Sequence, residues 1–205
     1  LDDEGTLLYQ IYRVAVGQEL YVDFHAGYTP GVFWWNAALF RLFGPNALVL
    51  RIALAIFNSA SALLIYLLSR RIGASRLPAA AAALMYIGLI PFFDGQFFAA
   101  NIPYPVWYVT PAWLASLFAM ERAWSRDRLF WWAVAGALGG IVFGFKPNSG
   151  LLCLAGLLIA AMHLEEPTRP AGGSGLLFGV ARALQRLVPA FLVLGLLRTF
   201  SRTGL

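Results

Sequence analysis

Long apolar segments alternate with short polar ones along most of the 205-residue chain. Six of the apolar segments have the character of membrane-spanning helices, which need about 20 apolar residues to cross a bilayer. They cover residues 46–69, 77–93, 106–120, 129–145, 151–164 and 187–197. This pattern predicts an all-α polytopic membrane protein in which residues 46–205 form a single membrane domain.

The first 45 residues depart from this alternation. Residues 2–16 place apolar side chains on one helical face, namely Leu7, Ile11 and Val14, with Thr6, Gln10 and Arg13 on the other. This pattern predicts an amphipathic helix that is too short to span a bilayer and lies at its surface. A second short helix, rich in aromatic residues, is predicted over Val32–Phe43. Residues 1–45 are thus expected to form one loop with two interfacial helices.

The arginines indicate which side of the membrane each loop faces. They cluster in alternate loops, at Arg70, Arg71 and Arg76, then at Arg122, Arg126 and Arg128, then at Arg169. Cytoplasmic loops carry an excess of Lys and Arg, so these loops are predicted to face the cytoplasm. The other loops, residues 1–45, residues 94–105 and the turn at Lys146, are then predicted to lie outside.

The composition agrees with a membrane protein and excludes several other classes. Hydrophobic residues make up 60% of the chain and charged residues 12%, whereas soluble domains are about 45–50% apolar and about 25% charged. The net charge of +5 comes from short arginine clusters between apolar segments, so no nucleic-acid partner is expected. The single cysteine, Cys153, rules out an intramolecular disulfide and is expected to serve in packing. No phosphate-binding glycine loop and no common protease or hydrolase motif is present.

Residues that could take part in catalysis are concentrated at the beginning of the chain. Five of its ten carboxylates fall within the first 31 residues, at Asp2, Asp3, Glu4, Glu19 and Asp23. The charge topology puts these acids on the same side as Arg51, Asp94 and Lys146. Acids and cations gathered at one face of a largely uncharged membrane domain indicate one water-facing active site.

An ordered series of short motifs resembles a known superfamily. Asp3-Glu4-Gly5 precedes a short helix, Tyr21-Val22-Asp23-Phe24 and Pro30-Gly31 follow, and Leu50-Arg51 comes after them. The series is similar to the first outer loop of GT-C glycosyltransferases, which include protein O-mannosyltransferases and the aminoarabinose transferase of lipid A. The likeness covers roughly residues 2–70, and residues 144–148 resemble a later lysine-bearing turn of these enzymes.

The resemblance implies a GT-C-like helical bundle and an integral membrane glycosyltransferase. Such an enzyme would move a sugar from a polyprenyl-phosphate donor to a lipid, glycan or protein acceptor at the outer face of the cytoplasmic membrane. In the family a transmembrane helix precedes the acidic motif and a longer chain follows. We therefore expect the sequence to be part of a longer protein, lacking segments at both ends.

The acidic motif is expected to hold the catalytic base. By the resemblance, Asp3 takes a proton from the acceptor during an inverting transfer, although an acid at the start of a helix also stabilises that helix without any catalytic role. Asp2 and Glu4 are candidates for binding the acceptor or a metal, or are simply part of a solvated turn. A divalent metal is the one candidate cofactor.

Other polar residues are candidates for binding the rest of the substrate. Asp23, His25 and Tyr28 would hydrogen-bond the sugar, although a lone histidine is more often structural. Arg51 and Lys146 would bind the lipid phosphate, and Asn148, in the lysine-bearing turn, is a further candidate for substrate binding; the alternative is that the cations reach to lipid headgroups. Asp94 would contact the acceptor.

A second function of a different class fits the same composition. A transporter or lipid flippase without glycosyl-transfer chemistry would also be polytopic and would meet membrane lipids. Such proteins carry ionisable groups or broken helices near the middle of their spans. Here the predicted spans are nearly free of charge and the polar groups gather at one end, which favours chemistry on a lipid headgroup. A purely structural subunit would leave the acidic motif without a role.

Overall fold

The computed structural model describes residues 2–93, 102–126 and 129–163. Over these residues the chain is helical, apart from turns and an isolated bridge between Leu20 and Phe24, which confirms the predicted all-α class. The helices are α1 (Asp2–Ala15), α2 (Pro30–Phe43), α3 (Ala47–Arg71), α4 (Arg76–Phe93), α5 (Pro105–Arg126), α6 (Leu129–Phe145) and α7 (Pro147–His163).

The chain divides into two compact units, Leu1–Leu114 and Ala115–Leu205. The first contains α1 to α4 and the first half of α5. The second contains the rest of α5 together with α6 and α7. Each unit has its own buried side chains.

The two short helices near the N-terminus pack against each other through apolar faces. Leu7, Ile11 and Val14 of α1 are 0–6% exposed, which is the face that the amphipathic pattern predicts. Val32 and Phe33 of α2 are fully buried. Burial of apolar surface stabilises such contacts without fixing their direction, so other interactions must set how α1 lies along α2.

Helix α1 ends in a Schellman motif at Gly17. The glycine has a φ of +97°, a left-handed conformation that side chains with a Cβ disfavour. Its N–H donates to Val14 O at 3.1 Å, and the N–H of Gln18 donates to Arg13 O at 3.0 Å. These are the two hydrogen bonds that define the motif. The chain therefore leaves α1 in a fixed direction.

Helix α3 begins where the sequence pattern predicts the first span. The Asn46 side chain accepts a hydrogen bond from Leu48 N at 2.9 Å, as N-cap residues do. Arg51 and Arg70 bound a charge-free stretch of the helix about 28 Å long, given a rise of 1.5 Å per residue. The apolar residues of this stretch include exposed ones, at Ile52, Ile56 and Leu63.

Among the described residues, Ala47–Arg71 is the helix that is both long and apolar enough to cross a membrane. Two shorter apolar helices cover Phe130–Phe145 and Pro147–Ile159. The prediction of several membrane crossings therefore stays a prediction.

Helices α6 and α7 form a hairpin joined by Lys146 alone. The spans predicted at residues 129–145 and 151–164 leave residues 146–150 as their connection, whereas in the structure α7 already begins at Pro147. Proline suits the first position of a helix, where its missing N–H costs nothing. Gly150 lies so close to α6 that a Cβ on it would be 2.2 Å from the Cα of Phe143. The glycine thus allows the two helices to meet directly after the connection.

Two further expectations differ from the structure or lie outside it. Helix α5 continues to Arg126, so Arg122 and Arg126 belong to a helix rather than to the expected loop after residue 120. Asp94, Arg128 and the predicted span at residues 187–197 lie outside the described residues.

Candidate active site

The acidic end of α1 meets the beginning of α3. Asp2 and Asp3 belong to the first turn of α1, and the next residue, Glu4, forms an ion pair with Arg51. Arg51 Nη2 lies 2.8 Å from Glu4 Oε1, and the side chains are 48% and 17% exposed, respectively. A pair this accessible to water contributes about 1 kcal/mol or less to stability. Its value lies in geometry, since it places the first turn of α1 beside an arginine.

The carboxylate of Asp23 is bound by its own loop. Its Oδ2 accepts a hydrogen bond from Glu19 N at 2.7 Å, and the N–H of Asp23 donates to Glu19 O at 3.0 Å. Asp23 is exposed, and a carboxylate has acceptor positions beyond the one used here. It can therefore shape the turn and still offer an oxygen to a ligand.

Side chains of α1 hold the backbone of this loop from one side. Arg13 Nη2 donates to Asp23 O at 3.1 Å, and its Nε donates to Gln18 Oε1. The guanidinium also lies 4.3 Å from the centre of the Phe24 ring, within the range of a cation–π contact. Gln10 Nε2 donates to His25 O at 3.3 Å. The loop thus follows the polar face of α1.

Tyr21 closes the same loop. Its φ of +67° is rare for a residue other than glycine, and its hydroxyl donates to Tyr28 O. Partial burial raises the pKa of the Tyr21 hydroxyl above its ordinary value, since burial disfavours the charged form. The phenol therefore stays protonated near neutral pH and keeps its role as a donor.

A buried polar contact connects α2 to the first half of α5. The Tyr108 hydroxyl donates to Asn36 Oδ1 at 2.7 Å, and Asn36 Nδ2 donates to Val32 O at 2.8 Å. Tyr108 also meets Phe57 of α3 edge to face, with ring centres 5.2 Å apart. Three helices of the first unit therefore converge on this tyrosine.

Two of the three loops that were predicted to face outward contact each other. The rings of Tyr28 and Tyr104 meet edge to face with their centres 6.1 Å apart. Tyr104 lies at the end of the loop predicted at residues 94–105. His25 is exposed three residues before Tyr28, so the loop's polar candidates stand on an accessible surface.

Lys146 and Asn148 lie in the second unit. The N–H of Lys146 donates to Val142 O at 2.8 Å, and its carbonyl accepts from Gly150 N at 2.9 Å. Lys146 thus belongs to the end of α6 and to the beginning of α7. Asn148 is exposed in the first turn of α7. A lysine beside a helix N-terminus is suited to an anion, because free N–H groups point the same way.

The structure joins some of the predicted site residues and reveals others. It pairs Glu4 with Arg51 and puts Asp23, His25 and Tyr28 in one loop held by α1. No group of three or more potential metal ligands is found in the described ranges. The sequence did not single out Arg13, Asn36 or Arg41. The signal for Arg13 was its place on the polar face of an amphipathic helix.

Comparison with known proteins places the chain in a family. The family model described as dolichyl-phosphate-mannose-protein mannosyltransferase matches residues 27–195, which is most of the chain. The chain belongs to this family. The predicted resemblance of the chain to GT-C glycosyltransferases is therefore confirmed at the level of the family.

Curated relatives of this mannosyltransferase-family chain have names that specify the donor more closely. An undecaprenyl phosphate-alpha-4-amino-4-deoxy-L-arabinose arabinosyl transferase 2 of Pseudomonas fluorescens is 34% identical over 135 residues, which is 64% of this chain and 22% of the relative. A Proteus mirabilis protein of the same name is 28% identical over 123 residues, 60% of this chain and 22% of its own length. The chain thus spans less than a quarter of these relatives. No solved structure matches it.

Proposed function

We propose that the protein containing this chain is an integral membrane glycosyltransferase. It transfers a sugar from a polyprenyl-phosphate donor to an acceptor at the outer face of the cytoplasmic membrane. The family match and the names of the relatives support the reaction class, since both name a sugar carried on a polyprenyl phosphate. The acceptor is a lipid, a glycan or a protein.

The observation that carries the proposal is the contact between the two ends of the sequence motif. Glu4 and Arg51 are 47 residues apart in the chain and meet at 2.8 Å. The first turn of α1, with Asp3, therefore stands beside a cation that can bind phosphate. Transfer from a sugar phosphate requires a base and a phosphate-binding group, the roles that we propose for Asp3 and Arg51.

In the proposed reaction Asp3 is the general base. Its carboxylate takes the proton of an acceptor hydroxyl while the hydroxyl oxygen attacks the anomeric carbon. The bond from that carbon to the phosphate oxygen breaks, and the polyprenyl phosphate leaves with the electron pair. Attack from the side opposite the leaving group inverts the anomeric configuration. The transition state resembles the oxocarbenium ion of glycoside hydrolysis.

Arginine and lysine stabilise the departing phosphate in this proposal. Arg51 can donate two hydrogen bonds to phosphate oxygens, and its side chain is half exposed. Lys146, with Asn148 in the adjoining helical turn, supplies a second cationic group. Asp23, His25 and Tyr28 hydrogen-bond the sugar, Asp2 and Glu4 contact acceptor or metal, and Asp94 contacts acceptor.

The placement at the outer face rests on charge and length. The charge-free part of α3 runs for about 28 Å, close to the roughly 30 Å of a bilayer's hydrocarbon core. Arg70 and Arg71 lie at the end of α3 far from Glu4, and an arginine-rich end is typical of the cytoplasmic side. The end of α3 that carries Arg51 then faces outward.

The test of the proposal is Asp3→Asn in the full-length protein. With the carboxylate replaced by an amide that cannot accept the proton, turnover should fall by about 100-fold or more. Binding of the polyprenyl-phosphate sugar should change little, because the amide keeps the size of the side chain. Sugar transfer and donor binding are measured separately on purified protein. Turnover equal to that of the unaltered protein would refute the assignment of Asp3.

Asp23→Asn serves as a matched control for this test. It makes the same chemical change at an exposed carboxylate in the same segment, where we assign hydrogen bonding to the sugar rather than proton transfer. The expected loss is smaller, about tenfold, and falls mainly on KM. A transporter or flippase, the alternative function, would move the donor across the membrane without forming any glycoside. In that case the unaltered protein and both Asn variants would all yield no glycoside.

A further inference from the structure

Arg41 of α2 binds the far end of the helix that carries the acidic motif. Its Nε donates to Ala15 O at 2.9 Å, and its Nη2 donates to Val14 O at 3.0 Å. These carbonyls belong to the last turn of α1, where carbonyls have no partner within the helix; Val14 O also accepts the hydrogen bond from Gly17 N that ends the helix. A cation there also suits the negative end of the helix dipole. One guanidinium thus donates hydrogen bonds to two successive carbonyls of α1.

The other end of α1 is bound by an arginine as well. Arg51 of α3 pairs with Glu4 at 2.8 Å. The 14 residues of α1 place its two ends about 20 Å apart, at 1.5 Å per residue. Arginines from two different helices therefore hold α1 at both ends.

The packing between these ends is less sensitive to small displacements of α1 than hydrogen bonds are. The buried face consists of Leu7, Ile11 and Val14, and apolar contact is non-directional. Hydrogen bonds are directional and lose strength over a few tenths of an ångström. A shift of α1 by a single residue along its axis would move its first turn by about 1.5 Å. Arg41 resists this shift, because it binds two neighbouring carbonyls at once.

We propose that Arg41 is a positioning residue for the carboxylates in the first turn of α1. It acts through the helix, from the opposite end, by fixing the helix along its axis and in rotation. The role of these carboxylates in transfer rests on the proposed function, whereas the mechanical role of Arg41 does not. A displacement of about 1 Å at a reacting group can cost roughly 100-fold in rate, so a residue far from the chemistry can control it.

The first test compares Arg41→Ala and Arg41→Lys in the full-length protein. Turnover of Arg41→Ala should fall about tenfold or more while KM for the donor stays within about twofold, because misplacement affects the reacting groups rather than binding. Arg41→Lys should recover part of the rate, since an ammonium keeps the charge but lacks the fork that reaches two carbonyls. An unchanged kcat in both variants overturns the proposal.

Arg70→Ala is the matched control. Arg70 Nη1 donates to Ala74 O at 2.7 Å, so this variant also removes a guanidinium–carbonyl bond just after a helix. The bond lies at the end of α3 remote from Arg51. Turnover of Arg70→Ala should equal that of the unaltered protein. A loss equal to that of Arg41→Ala would show a general effect of losing such bonds and would contradict a positioning role.

The second test needs no activity. Amide hydrogen exchange is compared between the unaltered protein, Arg41→Lys and Arg41→Ala, with peptides from residues 4–8 and 13–18. Positioning through the helix predicts faster exchange in both peptides of Arg41→Ala. Faster exchange in residues 13–18 alone would show a local cap and overturn the proposal. If Arg41→Ala does not accumulate, Arg41→Lys decides by the same criterion. Full activity of Asp3→Asn would refute the assignment of Asp3 as the base, but the hydrogen-exchange test of Arg41 would still be valid.

Discussion

The N-terminal segment, residues 4–46, and the α6–α7 hairpin are held together by different means. In the segment, charged and polar side chains bind backbone carbonyls across the loop and at helix ends, as Arg13, Gln10 and Arg41 do. In the hairpin a glycine allows backbone contact, with Gly150 directly against Phe143. Exposed apolar residues such as Leu151 and Leu152 lie next to it.

The difference follows from what surrounds each region. In the N-terminal segment the connection between α1 and α2, residues 18–29, is largely exposed and has little apolar surface to bury, so its conformation depends on directional hydrogen bonds from long side chains. An apolar hairpin gains little from burying more apolar surface if lipid surrounds it, so close packing of small residues decides the contact. Substitutions should therefore harm the hairpin through volume and the segment through lost hydrogen bonds.

The largest effect is expected from Gly150→Ala. The added Cβ would lie 2.2 Å from the Cα of Phe143, and backbone cannot move aside as a flexible side chain can. We expect a loss of about 3 kcal/mol or more, at the upper end of the cost of overpacking. The measurement is the midpoint of thermal unfolding of the purified protein.

Gly156→Ala is the control for this volume effect. It adds the same methyl group to the same helix at a position with nothing within 4 Å of the new Cβ. Alanine is favoured over glycine within a helix by about 0.5–1 kcal/mol, so the midpoint should stay or rise. Equal losses in both variants would show that α7 is sensitive to any added methyl group and would refute the close-contact argument.

The next largest effect is expected at Tyr108, which forms a buried side-chain hydrogen bond. Its hydroxyl and Asn36 are both buried, and Tyr108→Phe removes the donor while leaving Asn36 Oδ1 in place. An unsatisfied buried acceptor costs about 1–3 kcal/mol. The unfolding midpoint should fall accordingly. Tyr12→Phe, which removes an exposed hydroxyl, should leave it unchanged.

A double-variant cycle separates the hydrogen bond from packing. Asn36→Leu combined with Tyr108→Phe removes both polar partners, and replacing both can be nearly neutral. The double variant should therefore lose less stability than the sum of the losses measured for the two single variants. Simple additivity would mean that the 2.7 Å contact carries no energy of its own.

The sequence was sufficient to predict features that depend on local pattern. The amphipathic face of α1 and the end of α2 at Gly44 follow from periodicity and from a glycine near a helix end. The start of α3 follows from the polar residue Asn46 before an apolar run. The pairing of Glu4 with Arg51 did not follow, because it depends on how helices 47 residues apart in sequence meet. Charge topology and the family resemblance made both residues candidates at one face, but neither predicted their contact.

Other features depend on three-dimensional contact and left no pattern to read. Arg41 looks like an ordinary charge near the end of an aromatic helix, and its partners are carbonyls, which any sequence has. The extent of the turn at Lys146 was overestimated because Pro147, Asn148 and Gly150 are turn-forming residue types. The same residue types also suit α7, with proline at its first position and glycine at a close helix contact. Only the structure distinguishes these roles from a role in a turn.

The smallest effect is expected from Arg13→Gln in the loop over residues 18–25. The variant loses the hydrogen bond to Asp23 O and the contact with the Phe24 ring, at an exposed site where such interactions are worth about 1 kcal/mol or less. Global stability should hardly change, whereas amide exchange in residues 18–25 should become several-fold faster and KM for the donor should rise about two- to fivefold. Arg13→Lys keeps the charge over the ring and should give half of this response or less. A loss of stability as large as that of Gly150→Ala would contradict the division between the two regions, because it would mean that one exposed hydrogen-bonding side chain supports the fold as strongly as a buried backbone contact does.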